Sequence, residues 1–396
     1  MDTTLTTRQR IQSIDVLRGL IMIIMALDHT RDFFHKEALT DDPLNLATTT
    51  PLLYFTRWVT HLCAPVFVFL AGTSAWLQAR RKTKKELSSF LITRGFWLIL
   101  LEITVVNFGI FFDIYFGATA LQTIWSIGIS MVLLGLVIWL PFSAILTIGL
   151  LIVLGHNTLD YTEAKQQGNM PVWWHIIHRP GFFALSPNHT VLLLYPFLPW
   201  TGLMIMGYCS GKLFTSTNEQ NRRKRLRWAG LALLLLFVLL RASRIYGDPL
   251  EWSAQKNSLY SFFSFINVQK YPPSLLYMCA TIGIALLLLS VIKDIPGKLG
   301  KIIMVYGRVP MFYYVLHFYL LSFIRMLLFI ARGHSFSEGV RGVEAVPFKF
   351  IIPAEGYNLA GVYLIWFLVI LALYPLCKWY DAYKTNHPQK KWLSYL

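Results

Sequence analysis

Long apolar blocks separated by short polar breaks dominate this chain. Runs long enough to cross a bilayer as helices, roughly 20 residues each, begin near Ser13, Leu52, Ser89, Thr119, His189, Leu226, Ser274, Ile302 and Tyr357. A shorter one covers residues 142–154. Internal repeats, heptads and low-complexity tracts are missing from the pattern. It predicts an all-α fold: a polytopic transmembrane helix bundle of about ten spans, with residues 1–396 forming a single membrane domain. Arg8 and Arg10 precede the first run and no small-residue cleavage site follows it, so that run is expected to stay as a span.

Composition narrows the class. Of 396 residues, 55% are hydrophobic and only 14% charged, against roughly 25% charged in an ordinary soluble domain. Basic clusters follow alternate helices: Arg80 to Lys85, Arg222 to Arg227, then Lys293, Lys298 and Lys301, then Lys378, Lys384, Lys390 and Lys391. All fall on one side of the membrane if there are ten spans and both termini are cytoplasmic. Positive-inside loops and anionic lipid headgroups account for most of the net charge of +16, so no nucleic-acid partner is implied. The expected location is a cell membrane. Cys63, Cys209, Cys279 and Cys377 all fall in apolar runs without metal or pairing spacing, which reads as packed, reduced thiols.

Residues 13–35 concentrate the chemistry. Asp15 and Arg18 open the segment, residues 20–27 are apolar, and Asp28, His29, Arg31, Asp32 and His35 close it. At 1.5 Å per residue, Asp28 and His29 lie roughly 20 Å along the helix from Asp15. His61 and His317 fall at a comparable depth when counted from their own basic flanks. Ionisable groups inside a membrane are costly and tend to face a cavity or a partner. His29, His61, His317 and Asp28 are therefore the candidate catalytic residues, as acid, base or donor groups. A single intramembrane histidine would more often be a packing residue bonded to a neighbouring helix; three at one depth reverse that preference. No HxH or HExxH spacing accompanies them, so no metal site is assigned. At the other end Asp15 and Arg18, three residues apart, are spaced to pair. Arg18, with Arg94 and Arg308, is the candidate contact for phosphates. Pro65, four residues after His61, frees a backbone carbonyl near that histidine, which suits either a helix kink or a ligand contact. The small run Leu70-Ala71-Gly72-Thr73-Ser74 suits a close helix contact.

Several of these stretches resemble one family. Ser13-Ile14-Asp15-Val16-Leu17-Arg18-Gly19 and His61-Leu62-Cys63-Ala64-Pro65 through Gly72 are similar to the catalytic domain of heparan-alpha-glucosaminide N-acetyltransferase and its bacterial relatives. Trp125-Ser126-Ile127-Gly128, Pro199-Trp200-Thr201-Gly202, Lys270-Tyr271-Pro272-Pro273 and Gly307 through His317 follow in the same order. The resemblance implies an acyl transfer across a membrane, in a bacterial inner membrane here. Cytosolic acetyl-CoA would give its acetyl group to an extracytoplasmic sugar or amino-sugar acceptor. In that scheme Arg18, Asp15, Arg308 and Arg94 attend the donor, and His29, Asp28, His61 and His317 attend the transfer. The eukaryotic members differ at Leu27-Asp28-His29-Thr30 and at His61, and carry their proposed catalytic histidine after the first helix, where His35 is the nearest counterpart. Two other readings compete: a transporter or flippase whose ionisable groups bind solute or protons, and a structural protein whose histidines only pack. Oligomeric state is left open, a homo-oligomer included.

Overall fold

The computed structural model describes residues 11–166, 170–215, 218–292, 297–343 and 346–394. Arg8, Arg10 and Lys293 of the basic runs lie outside the described residues. Helix α1 (Gln12–Phe34) occupies the centre of the bundle, with fifteen of its 23 residues buried. Helix α2 (Pro51–Val59) passes through a 3-10 turn into α3 (Cys63–Ala79), and α4 (Lys84–Leu101) passes through a π turn into α5 (Asn107–Phe111). After strand β1 (Ala118–Leu121) come α6 (Thr123–Val137), α7 (Phe142–Gly155), α8 (Thr158–Lys165) and α9 (Val172–Ile177). A hairpin, β2 (Gly181–Ser186) and β3 (His189–Leu193), leads to α10 (Phe197–Ser210) and α11 (Glu219–Ser243). Then follow α12 (Ser258–Ile266), α13 (Leu275–Val291), α14 (Lys298–Arg308), α15 (Pro310–Ala331), α16 (Phe336–Arg341) and α17 (Leu359–Asn386).

Among the described residues, five helical stretches are long and apolar enough to cross a membrane: Pro51–Ala79, Lys84–Phe111, Glu219–Ser243, Pro310–Ala331 and Leu359–Asn386. A sixth is reached if α7 and α8, bent by 43° at their junction, count as one. Helix α1 is absent from that set because Asp15, Arg18, Asp28, Arg31 and Asp32 interrupt its apolar block. It is a wall of the interior, sheltered from lipid by its neighbours.

The fold is mostly helical but not all-α. The runs expected to enter helices near Thr119 and His189 begin as β1 and β3, which pair in parallel, while β2 pairs antiparallel to β3. Asn107 ties this small sheet to the bundle. Its side chain takes the Ala120 N–H at 2.6 Å and gives a hydrogen bond to the Ala120 carbonyl at 3.0 Å.

Glycines set the tightest crossings. A Cβ on Gly72 would sit 2.0 Å from the Met204 carbonyl oxygen, and one on Gly207 2.2 Å from that of Phe69. Helices α3 and α10 thus meet backbone to backbone, as the small-residue run suggests. Gly19 and Gly307 do the same for α1 and α14, each Cβ position lying 1.9 Å from a carbonyl oxygen of the other helix. This contact delivers Arg18 and Arg308 to one place.

Candidate functional site: a chamber through the bundle

A single cavity of about 1000 Å³ runs along α1. Arg18 and His29 both line it, and eleven residues of helix separate them by about 16 Å. The chamber therefore extends through much of the bundle, and its two ends differ in chemistry.

At the Arg18 end the lining cations are Arg18, Lys82, Arg94, Arg308 and Lys384. Arg18 is held in place by Asp15 at 3.2 Å, by the Gly307 carbonyl at 3.3 Å and by Ser74 Oγ at 3.1 Å. Arg308 pairs with Asp381 of α17 at 3.3 Å. Lys82 and Arg94 both reach over the Phe90 ring. Among the described residues, the carboxylates that line the chamber are Asp28 and Asp32, both at the far end. Asp15 stands behind the wall and fixes Arg18. Such a concentration of cations, three of them guanidinium forks, suits a polyanion such as a phosphate ester. Between the ends the lining is apolar, with Met22, Met25, Phe67, Ile127 and Met131.

The far end is ionic. Asp28 is clamped by two guanidinium groups, Arg57 at 2.9 and 3.1 Å and Arg31 at 3.0 Å. Arg57 also donates to Thr60 Oγ at 3.1 Å. Asp28 is therefore committed to cations, and His29 points elsewhere on the helix. Its ring lies 5.2 Å from that of His317 and 4.5 Å from Phe318, centroid to centroid. The sequence-derived cluster is thus assembled in part. His29 and Asp28 line the chamber, and His317 backs His29 from α15, stacked on Tyr313. His61 is buried away from the lining against the Tyr277 ring, at 5.5 Å. Both nitrogens of His61 and Nε2 of His317 are buried without hydrogen-bond partners.

The His61 backbone belongs to the 3-10 turn between α2 and α3. Pro65 has no N–H to give to the carbonyl four residues back. The Tyr277 hydroxyl donates to that carbonyl at 2.7 Å instead.

Three residues of this end are not among the site candidates drawn from the sequence: Arg57, and Lys270 and Tyr271 of the quoted Lys270–Pro273 stretch. All three line the chamber, with Tyr195 beside them. Lys270 is buried, its Nζ 5.0 Å from the Tyr271 ring centroid, and among the described residues no carboxylate lies within 4 Å of it. The Tyr271 and Tyr195 hydroxyls are 3.5 Å apart. Burial pushes the Tyr271 phenol up, yet Lys270 and Arg57 together outweigh it and hold it below the ordinary tyrosine range. The loop carrying Lys270 and Tyr271 is anchored by Asp248, which accepts from the Gln269 N–H at 2.9 Å and from Ser274 Oγ at 2.6 Å. Arg241 reads from the sequence as a snorkelling helix end but is buried. It donates to the carbonyls of Phe265, Ser264, Asn267 and Leu250 and so clamps the preceding segment.

Elsewhere, Asp160, Glu163 and His178 bring one potential metal-ligand atom each within 4.8 Å of one another. Glu163 already accepts from Trp174 at 2.7 Å, His178 at 2.6 Å and Arg179 at 3.3 Å, so this group reads as a satisfied polar anchor. The four cysteines are free and buried.

Apolar helices thus surround an internal chamber that is cationic at one end and carries imidazole at the other. The chain belongs to the family described as heparan-alpha-glucosaminide N-acetyltransferase, catalytic, whose model matches residues 10–245. That match ends before Lys270, Tyr271, Arg308 and Lys384, so part of the chamber wall comes from beyond the matched segment. No curated protein matches the chain significantly.

Proposed function

We propose that this protein moves an acetyl group from cytosolic acetyl-CoA to a sugar or amino-sugar acceptor on the opposite side of the membrane. The observation that carries this reading is the continuous chamber with phosphate-binding chemistry at the Arg18 end and His29 at the other. The basic clusters support a cytoplasmic Arg18 end. Ten crossings with both termini inside fit that orientation when the charged helix α1 and the shorter helices α6, α7, α10 and α13 cross beside the five long ones.

Arg18, Arg94 and Arg308, joined by Lys82 and Lys384, hold the donor's phosphates. The pantetheine arm threads the apolar middle and sets the thioester near His29. His29 accepts a proton from the acceptor's amine or hydroxyl as that nucleophile attacks the thioester carbonyl. The new C–N or C–O bond forms while the carbonyl π electrons move to oxygen. Tyr271, Lys270 and Arg57 are the donors for that oxyanion. When the carbonyl re-forms, the C–S bond breaks and the departing thiolate takes up a proton, giving free CoA. His317 backs the His29 ring, and Asp28 positions Arg57 and Arg31.

The test is transfer of labelled acetyl from acetyl-CoA to cell-envelope glycans by purified protein, read with thiol release. The expected result is equal label and thiol, both abolished in His29→Ala, with CoA binding retained. Acceptor uptake without thiol release would replace this reading with transport. Full turnover in His29→Ala would remove that residue from the chemistry.

A further inference from the structure

A buried cation outside the chamber lacks a counter-charge. Arg325 of α15 is 3% exposed. Its Nη2 donates to the Ile110 carbonyl at 3.4 Å and to Ser322 Oγ at 3.3 Å. Its Nε and Nη1 are buried with no hydrogen-bond partner. Among the described residues no carboxylate lies within 4 Å of the guanidinium. The faces of Phe33, at 4.6 Å, and Phe348, at 5.7 Å, offset part of the charge. They leave the Nε and Nη1 hydrogens without an acceptor. Buried guanidinium groups are ordinarily paired, because taking an unpaired charge out of water is among the costliest things a fold can do.

Beside Arg325 lies a small second cavity of about 20 Å³, room for one water-sized occupant and little more. Arg332, just past the C-terminal end of α15, lines it as well, with Phe33, Phe350 and Glu355. Glu355 does not serve as the counter-ion: its Oε2 bonds His334 at 2.9 Å and its side chain is 40% exposed. Arg332 gives one N–H to the Glu355 carbonyl at 3.2 Å and rests on the Tyr357 ring. Two guanidinium groups therefore border one small space, Arg325 from its buried side and the exposed Arg332 from its outer side. A water there would satisfy an N–H but leave both charges in place.

We propose that this cavity is a binding site for a small monovalent anion of halide size, seated between Arg325 and Arg332. Neutralising Arg325 lets it stay buried against Phe33, whose other surroundings include the main chamber. The anion thus supports one wall of the chamber without entering it.

The experiment compares thermal unfolding of the intact purified protein in sodium chloride and in sodium gluconate at equal ionic strength, for the unaltered chain and Arg325→Gln. Chloride is expected to raise Tm by a few degrees over gluconate in the unaltered protein, with saturation, and to make no difference in Arg325→Gln. Identical curves in both salts, or a chloride effect that survives in Arg325→Gln, overturn the proposal. If Arg325→Gln does not fold, bromide-soaked crystals of the unaltered protein decide. Anomalous density between Arg325 and Arg332 supports the site, and a water alone there overturns it. None of these readouts depends on acyl transfer, so the site stands or falls separately from the catalytic reading.

Discussion

The ion cluster around Asp28 gives the most quantitative test of the structure. Replace Arg57 with Met: the aliphatic stem is kept, but the bonds to both Asp28 oxygens and to Thr60 are lost. Breaking a fully buried pair by removing one partner costs about 3–5 kcal/mol. Two features reduce that here. The Asp28 and Arg57 side chains each keep 13% exposure, and Arg31 still holds Asp28 at 3.0 Å. About 2 kcal/mol is the resulting expectation, or about a 30-fold shift in the folding equilibrium. Asp28→Asn should cost a similar amount, since it leaves two guanidinium groups facing a neutral amide. The double variant should cost no more than either single one, because each change removes the reason for the other's penalty. The assay is reversible unfolding in mixed detergent micelles, followed by tryptophan fluorescence, for all four proteins. A double variant whose loss equals the sum of the two singles would show that the charges do not act as a unit, and the clamp described here would be wrong.

Three further outcomes follow from the same geometry. Arg18→Ala should weaken CoA binding about tenfold, in line with a lost charged hydrogen bond, leaving turnover at saturating donor intact; unchanged affinity by calorimetry would take Arg18 out of the donor site. Lys270→Met should move the alkaline limb of the pH–rate profile to higher pH. Lys270 helps hold the Tyr271 phenol below its ordinary range, so its removal lets the phenol keep its proton further up the scale; a limb that stays put refutes a donor role for Tyr271. Gly72→Ala should cost about 3 kcal/mol, the upper end for overpacking, because its Cβ meets the Met204 backbone at 2.0 Å. Gly155→Ala, with nothing within 4 Å of the added carbon, is the matched control and should be near neutral.

Much of the architecture is legible in the pattern of residues. The apolar blocks mark the long helices, and the Gly72 run marks a close crossing that the backbone contact with Met204 bears out. The charges that bracket residues 20–27 mark α1 as the chemical helix, although they also withdraw it from lipid. The sheet was not readable: Ala118–Leu121 and His189–Leu193 are short apolar runs, and periodicity alone cannot separate these from helix. Depth counting brought His29 and His317 together because rise per residue is fixed. It could not say which way the His61 ring turns, since the 3-10 turn before Pro65 rotates that ring towards Tyr277. Arg57 and Lys270 were hidden by context. An arginine near a helix end suggests snorkelling and a loop lysine suggests solvation, and only the packed bundle turns both inward.

The bond from Tyr277 to the His61 carbonyl spans 216 positions of sequence. During synthesis, the α2–α3 segment emerges long before its partner exists, and hydrocarbon offers nothing to replace the missing acceptor's mate. That carbonyl therefore gains its tyrosine donor only when α13 arrives, together with the chamber wall that follows it. A nascent chain halted before that point carries the recognisable family segment but not the finished vessel.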